Sequence, residues 1–154
     1  GRDQLKFLDK QIKKRNLLAN IYLNLLREFY EKKNILETPD FKCQTCPFKT
    51  QIKRCNKCLH SFYRLNLFIK KNFINRNKLL YQLNKLKINC GVGSCPEIFK
   101  EKIFKKLKIY PKYKLLNAKL LGETSLTFPI NPNKKIAQIK KEVKVIKTIL
   151  TKFI

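Results

Sequence analysis

Acid is what this sequence is short of. Ten Asp and Glu stand against 36 Lys and Arg, a formal net charge of +26 over 154 residues. A compact free-standing enzyme at that charge repels itself, so the balance implies a chain that lives against a polyanion. Ten scattered acids and one His also leave little material for acid–base chemistry. No apolar run approaches the roughly 18 residues of a membrane span, and no charged, apolar, small-residue cleavage pattern opens the chain. Met is absent even from position 1, which leaves room for a processed start. Four Gly and six Pro offer few points of punctuation. Against these shortages stand 44% hydrophobic and 11% aromatic residues, well above a disordered basic tail, so the chain is expected to fold. The wealth of Lys, Asn, Ile, Phe and Tyr points to an A/T-rich genome, such as that of an organelle or a protist.

The apolar spacing predicts one long amphipathic helix from Arg2 to about Leu36, carried by Leu5, Leu8, Ile12, Ala19, Tyr22, Leu26 and Phe29. Thr38-Pro39-Asp40 marks a break. Residues 41–58 read as loops around cysteines. From Leu59 to about Ile88 the pattern predicts two helices with a weak point near Asn75-Arg76-Asn77. Pro96 can open a helix to about Ile109, and Thr124 to Phe128 looks like a short extended segment. Asn131-Pro132 signals a last helix. Its Ile136, Ile139, Val143, Ile146, Leu150 and Phe153 form a narrow seam for the chain's own core or for another protein. The predicted fold class is mainly α with a small four-cysteine zinc knuckle or ribbon and extended, non-globular helical extensions. The predicted organisation is a basic N-terminal helix (1–40), a zinc-knuckle RNA-binding module (41–75) and a helical C-terminal extension (76–154).

Two Cys-x-x-Cys pairs, Cys43/Cys46 and Cys55/Cys58, are separated by eight residues. Each can present two thiolates, and four thiolates suit tetrahedral Zn²⁺ in a structural, non-catalytic site. Lys42, Lys49, Lys53, Arg54 and Lys57 would offset the charge of such a centre. Disulfides, free thiols and an iron–sulfur cluster are the alternatives. Cys90 and Cys95 are too few for a site of their own, and read first as ordinary thiols.

Basic and aromatic residues interleave beyond the second pair. Lys42, Lys49, Lys53, Arg54, Lys57, His60, Arg64, Lys70, Lys71 and Arg76 are the predicted RNA-binding residues, able to meet phosphates while rings such as Phe62 and Phe68 fill core or stack on bases.

The basic N-terminal segment, the two Cys-x-x-Cys pairs around a short basic loop, and the run Cys55-Asn-Lys-Cys58-Leu59-His-Ser-Phe-Tyr-Arg64-Leu65 together resemble small-subunit ribosomal protein number fourteen in its zinc-bearing form. The similarity covers about residues 2–75. It implies zinc at Cys43, Cys46, Cys55 and Cys58, and ribosomal RNA of the small-subunit head and neighbouring ribosomal proteins as partners. The expected function is therefore a non-enzymatic constituent of a mitochondrial (or plastid) ribosome, with no membrane and no small-molecule substrate. Another zinc-ribbon ribosomal protein, or a non-ribosomal zinc-ribbon regulator, is the alternative.

Overall fold

A computed structural model describes residues 1–38, 60–70, 74–93 and 97–153. The N-terminal helix is broken into α1 (Arg2–Leu5), α2 (Leu8–Leu25) and α3 (Arg27–Glu31), and the chain then enters a two-residue strand, β1 (Leu36–Glu37). After the undescribed segment come β2 (Arg64–Ile69) and α4 (Arg76–Lys85). A single 3₁₀ turn (Ile98–Lys100) and α5 (Lys102–Lys106) lead to α6 (Leu116–Thr124), β3 (Ser125–Pro129) and α7 (Ile136–Thr151).

The segment expected to be helical from Leu59 is therefore a strand at its centre. Leu65, Leu67 and Ile69 are buried while Arg64 and Asn66 are exposed, a period of two. That alternation competes with the three–four spacing of Phe62, Leu65 and Phe68, and pairing on both sides decides for the strand. Asn75 does mark the following break: its side-chain oxygen accepts from the Lys78 N–H at 3.1 Å and caps α4. The helix expected from Pro96 to Ile109 is reduced to the 3₁₀ turn and α5.

The sheet has the order β1-β2-β3 and is antiparallel throughout. Register sets Leu36 beside Ile69, Leu67 beside Leu126 and Leu65 beside Phe128 on one face. The other face carries Glu37 beside Phe68, then Phe68 beside Ser125, Asn66 beside Thr127 and Arg64 beside Pro129. Gly91 extends the ladder past β3, exchanging backbone hydrogen bonds with Thr127 at 2.9 and 2.8 Å.

The apolar face is covered by α2, α4 and α7. From α2 come Leu18, Ala19, Tyr22 and Leu23, from α4 Leu79 and Leu83, and from α7 Ile139, Val143, Ile146, Ile149 and Leu150. Of the α7 seam read from the sequence, Ile139, Val143, Ile146 and Leu150 are buried in this chain's own core, Phe153 packs partly buried against it, and Ile136 at the helix start is exposed. Each large side chain removed from water there contributes roughly 1.5–3 kcal/mol. Across the α2–α7 contact the Tyr22 hydroxyl donates to Glu142, which also receives the Lys134 ammonium at 2.6 Å.

One core cluster runs from Leu18 to Leu150 and draws on the N-terminal, middle and C-terminal thirds of the chain alike. The expected mainly helical, non-globular architecture is therefore corrected to an α/β arrangement around a small antiparallel sheet. Buried strand positions supply the long-range contacts that a chain of separate helices would lack. The cysteines of the expected knuckle (Cys43, Cys46, Cys55 and Cys58) lie outside the described residues, as does Cys95. Among the described residues, no helix is long and apolar enough to cross a membrane.

Candidate functional site

The second face of the sheet is built from hydrogen-bonding side chains. Thr127 donates its hydroxyl to Asn66 Oδ1 at 2.6 Å. Ser125 Oγ accepts the Gly93 N–H at 3.2 Å. At Gly93 a Cβ would stand 2.9 Å from Ser125 Oγ and 3.1 Å from Ser125 Cβ, so any side chain there would push the segment off the strand. Ser125 and Thr127 are buried although polar, which their hydrogen bonds permit.

A cationic rim stands at the Arg64 end of this face. Arg64 opens β2, and its guanidinium carbon lies 5.9 Å from the centroid of the Tyr63 ring. Arg15, from α2, places its own guanidinium carbon 5.6 Å from the same centroid. Two cations therefore share one phenol ring that is itself 65% exposed. Arg15 Nε is buried without a hydrogen-bond partner among the described residues. Neither Arg15 nor Arg64 takes part in the ion pairs formed among those residues.

Local backbone geometry aims the rim. Phe62 sits at φ 42°, a left-handed conformation that a bulky residue adopts at a cost of order 1–3 kcal/mol. Its ring is buried, and its N–H donates to His60 Nδ1 at 2.9 Å. Asn16 Nδ2 holds the His60 carbonyl at 2.6 Å and so ties this turn to α2. Burial pushes the His60 imidazole below its usual pKa and favours the neutral ring.

Of the ten residues predicted to bind RNA, the structure brings two together here, His60 and Arg64. Lys70 is occupied elsewhere, by Asn34 Oδ1 at 2.5 Å and Glu37 at 3.2 Å. Arg76 serves the fold: it donates to the Gly122 and Ser125 carbonyls at 3.1 Å each, fastening α4 to the α6–β3 junction. Lys42, Lys49, Lys53, Arg54, Lys57 and Lys71 lie outside the described residues. Sequence reasoning missed Asn66, Ser125, Thr127 and the use of Arg15. The alternation Arg64-Leu65-Asn66-Leu67-Phe68-Ile69 was the available signal for the strand. Nothing local links Arg15 to Tyr63, which stand 48 positions apart in the sequence.

The arrangement offers two guanidinium groups at one end and neutral donors and acceptors along the strand. It can hold an anionic group at the rim, with exposed Asn66 beside it for a hydroxyl. Among the described residues, no three His, Cys, Asp or Glu side chains come together to hold a metal ion.

Comparison with known proteins bears on the reading of this face. The sequence profile of the DegT/DnrJ/EryC1/StrS aminotransferase family matches residues 1–147. An aminotransferase from Psychrobacter cryohalolentis is similar at a TM-score of 0.82 and 26% identity, over 99% of this chain and 37% of that one. Helicobacter pylori PseC, an aminotransferase involved in the biosynthesis of pseudoaminic acid, has a TM-score of 0.73 and 15% identity over 98% and 36% of the two chains. A GDP-4-keto-6-deoxymannose-3-dehydratase with a trapped PLP-glutamate geminal diamine has a TM-score of 0.70 and 18% identity over 94% and 33%. The chain thus spans about a third of the length of these structures. No curated protein matches.

These findings overturn the ribosomal resemblance and what followed from it. The Cys-x-x-Cys spacing and the basic composition are shared by many unrelated chains, whereas the profile match and the fold extend over nearly the whole sequence. Structural Zn²⁺ as the cofactor, ribosomal RNA and ribosomal proteins as partners, the exclusion of a small-molecule substrate and the non-enzymatic role are all corrected by the same match. The members it points to are aminotransferases and a dehydratase.

Proposed function

The chain belongs to the DegT/DnrJ/EryC1/StrS aminotransferase family, and from that premise we propose that it works within a pyridoxal-phosphate-dependent enzyme that transfers an amino group to the keto sugar of a nucleoside diphosphate. The observation that carries this reading is the family match over residues 1–147. The dehydratase relative and the enzyme of pseudoaminic acid biosynthesis supply the substrate class.

The polar face of the sheet does not by itself fit pyridoxal phosphate. Its aldehyde calls for a lysine amine. The polar face of the sheet carries no lysine in its register. Lys70, beside it, is held by Glu37 and Asn34, while Lys134 and Lys147 are paired with Glu142 and Glu28 in the helical layer. The part of this face is therefore on the substrate side. Arg15 and Arg64 would bind the negative charge of the nucleotide. Asn66, exposed beside them, would orient a hydroxyl group while buried Thr127 holds its side-chain oxygen, and Tyr63 would cover the rim.

Peptides of this chain, followed through purification of the protein from its source, are expected to travel with pyridoxal phosphate absorbance. They should also travel with glutamate-dependent amination of a keto sugar nucleotide. Their recovery in a fraction lacking both would sink the reading. In the active protein, Arg64→Ala should raise KM for the sugar nucleotide about tenfold or more with little change in kcat, the mark of a lost charge-assisted contact.

A further inference from the structure

A groove open to solvent lies in the helical layer and shares no residue with the polar face of the sheet. It is a cleft of about 700 Å³ between α4 and α7, lined by Asn77, Lys78, Tyr81, Gln82, Lys85 and Leu86 on one side and by Ile149 and Lys152 on the other. We propose that this cleft binds a nucleoside di- or triphosphate, with the base on Tyr81 and the phosphates on Lys78, Lys85 and Lys152.

The lining contains three ammonium groups and no carboxylate. None of the three takes part in the ion pairs formed among the described residues, whereas seven other cations do. Helix geometry explains the placement. Lys78 and Lys85 are seven residues apart on α4, two turns and so about 10 Å along one face, and Lys152 stands at the end of α7 across the cleft. Lys85 and Lys152 lie at helix C-termini, where a cation is favoured; Lys78 lies in the first turn of α4, where it is not, and no acid occupies that turn. An anion beside Lys78 would offset that unfavourable placement.

The remaining lining argues for a base attached to that anion. Tyr81 is 70% exposed and Leu86 55% exposed, an aromatic ring and an alkyl chain left in water beside buried Ile149. An aromatic platform next to cations suits a nucleobase followed by phosphates. The Asn77 and Gln82 amides supply donors and acceptors for a base edge or ribose. The volume falls within the range of small-molecule sites.

The test is calorimetric titration of the folded full chain, near physiological salt, with ATP and separately with inorganic tripolyphosphate. Both should bind. Replacing Lys78→Glu together with Lys152→Glu should weaken both by about tenfold or more, because charge at the site and not total charge sets the affinity. Tyr81→Ala should weaken ATP severalfold and leave tripolyphosphate unchanged. The control is Lys105→Glu with Lys106→Glu, the same change in net charge made on exposed α5. An equal loss in that control, or the absence of ATP binding, overturns the proposal. So does an unstructured RNA oligomer that binds while ATP does not. All substituted side chains but Lys152, which caps α7, project from helix surfaces, and circular dichroism of each variant confirms that it is folded before it is titrated.

Discussion

The two faces of the central sheet are made by the same strands and differ by a single residue step. On one face Leu65, Leu67, Ile69, Leu126 and Phe128 are almost wholly removed from water. On the other, Arg64, Asn66, Ser125 and Thr127 make hydrogen bonds or remain exposed. The first face holds the helices and supplies the stability. On the second, Ser125 and Thr127 are buried and hydrogen-bonded, so only the exposed β2 positions, Arg64 and Asn66, are open to a ligand. A slip of one residue in the pairing of β2 would exchange the two sets, so burial of the apolar set fixes the register that places the polar one.

The largest effect is expected from emptying the packed face. Phe128→Ala should destabilise the protein by about 3–5 kcal/mol, read as a lower midpoint in urea unfolding. A change under about 1 kcal/mol would mean that Phe128 is not packed beneath α2, where its ring lies 6.0 Å from that of Tyr22.

The same core contains two groups that resist ionisation. Burial pushes the Cys90 thiol up from 9.0 to about 11. Burial first, and Glu142 second, push the Tyr22 phenol well above its ordinary 10.0. Both folded values exceed the unfolded ones. The stability they contribute is whole below pH 9 and is lost as pH rises through 11. Unfolding free energies measured between about pH 8 and pH 11 should fall, and Cys90→Val should flatten the first part of the fall. A rise across that window would contradict the burial of these groups.

On the polar face the effects should be smaller. Thr127→Val removes the hydroxyl that Asn66 accepts and should cost about 1 kcal/mol, again by urea unfolding. At the rim, the depressed pKa of His60 stabilises the fold above its unfolded value of 6.5, and that contribution is lost as pH falls through the folded value. His60→Gln should therefore make the stability profile flatter below pH 6.5. An unchanged acid limb would place the imidazole in water.

Several elements were legible in the sequence because their signal is local. The α7 seam repeats at three and four residues, Asn75 precedes a helix it caps, and Thr124 to Phe128 avoids helical spacing; all three appear in the fold. The β2 strand was hidden because Phe62, Leu65 and Phe68 satisfy a helical period as well as Leu65, Leu67 and Ile69 satisfy an extended one. A strand can be told from a helix there only by the partners on either side, which lie 31 or more positions away in the sequence. The candidate site was half visible. His60 and Arg64 stood out by chemistry, but a cation on a chain of +26 says nothing about whether it is committed to the fold, as Arg76 is, or left open, as Arg64 is. The cysteine pairs drew attention by spacing alone and led to a metal and a family that the rest of the chain does not share.

The sequence by itself determined the charge, the places where helices start and the face that α7 buries, since each depends on neighbours within a turn or two. Only the tertiary structure decided that residues 64–69 are a strand, that Arg15 and Arg64 meet over one ring, and that Lys78, Lys85 and Lys152 line one cleft. These are juxtapositions of residues far apart along the chain. They follow from the burial of a shared core, which no local period encodes.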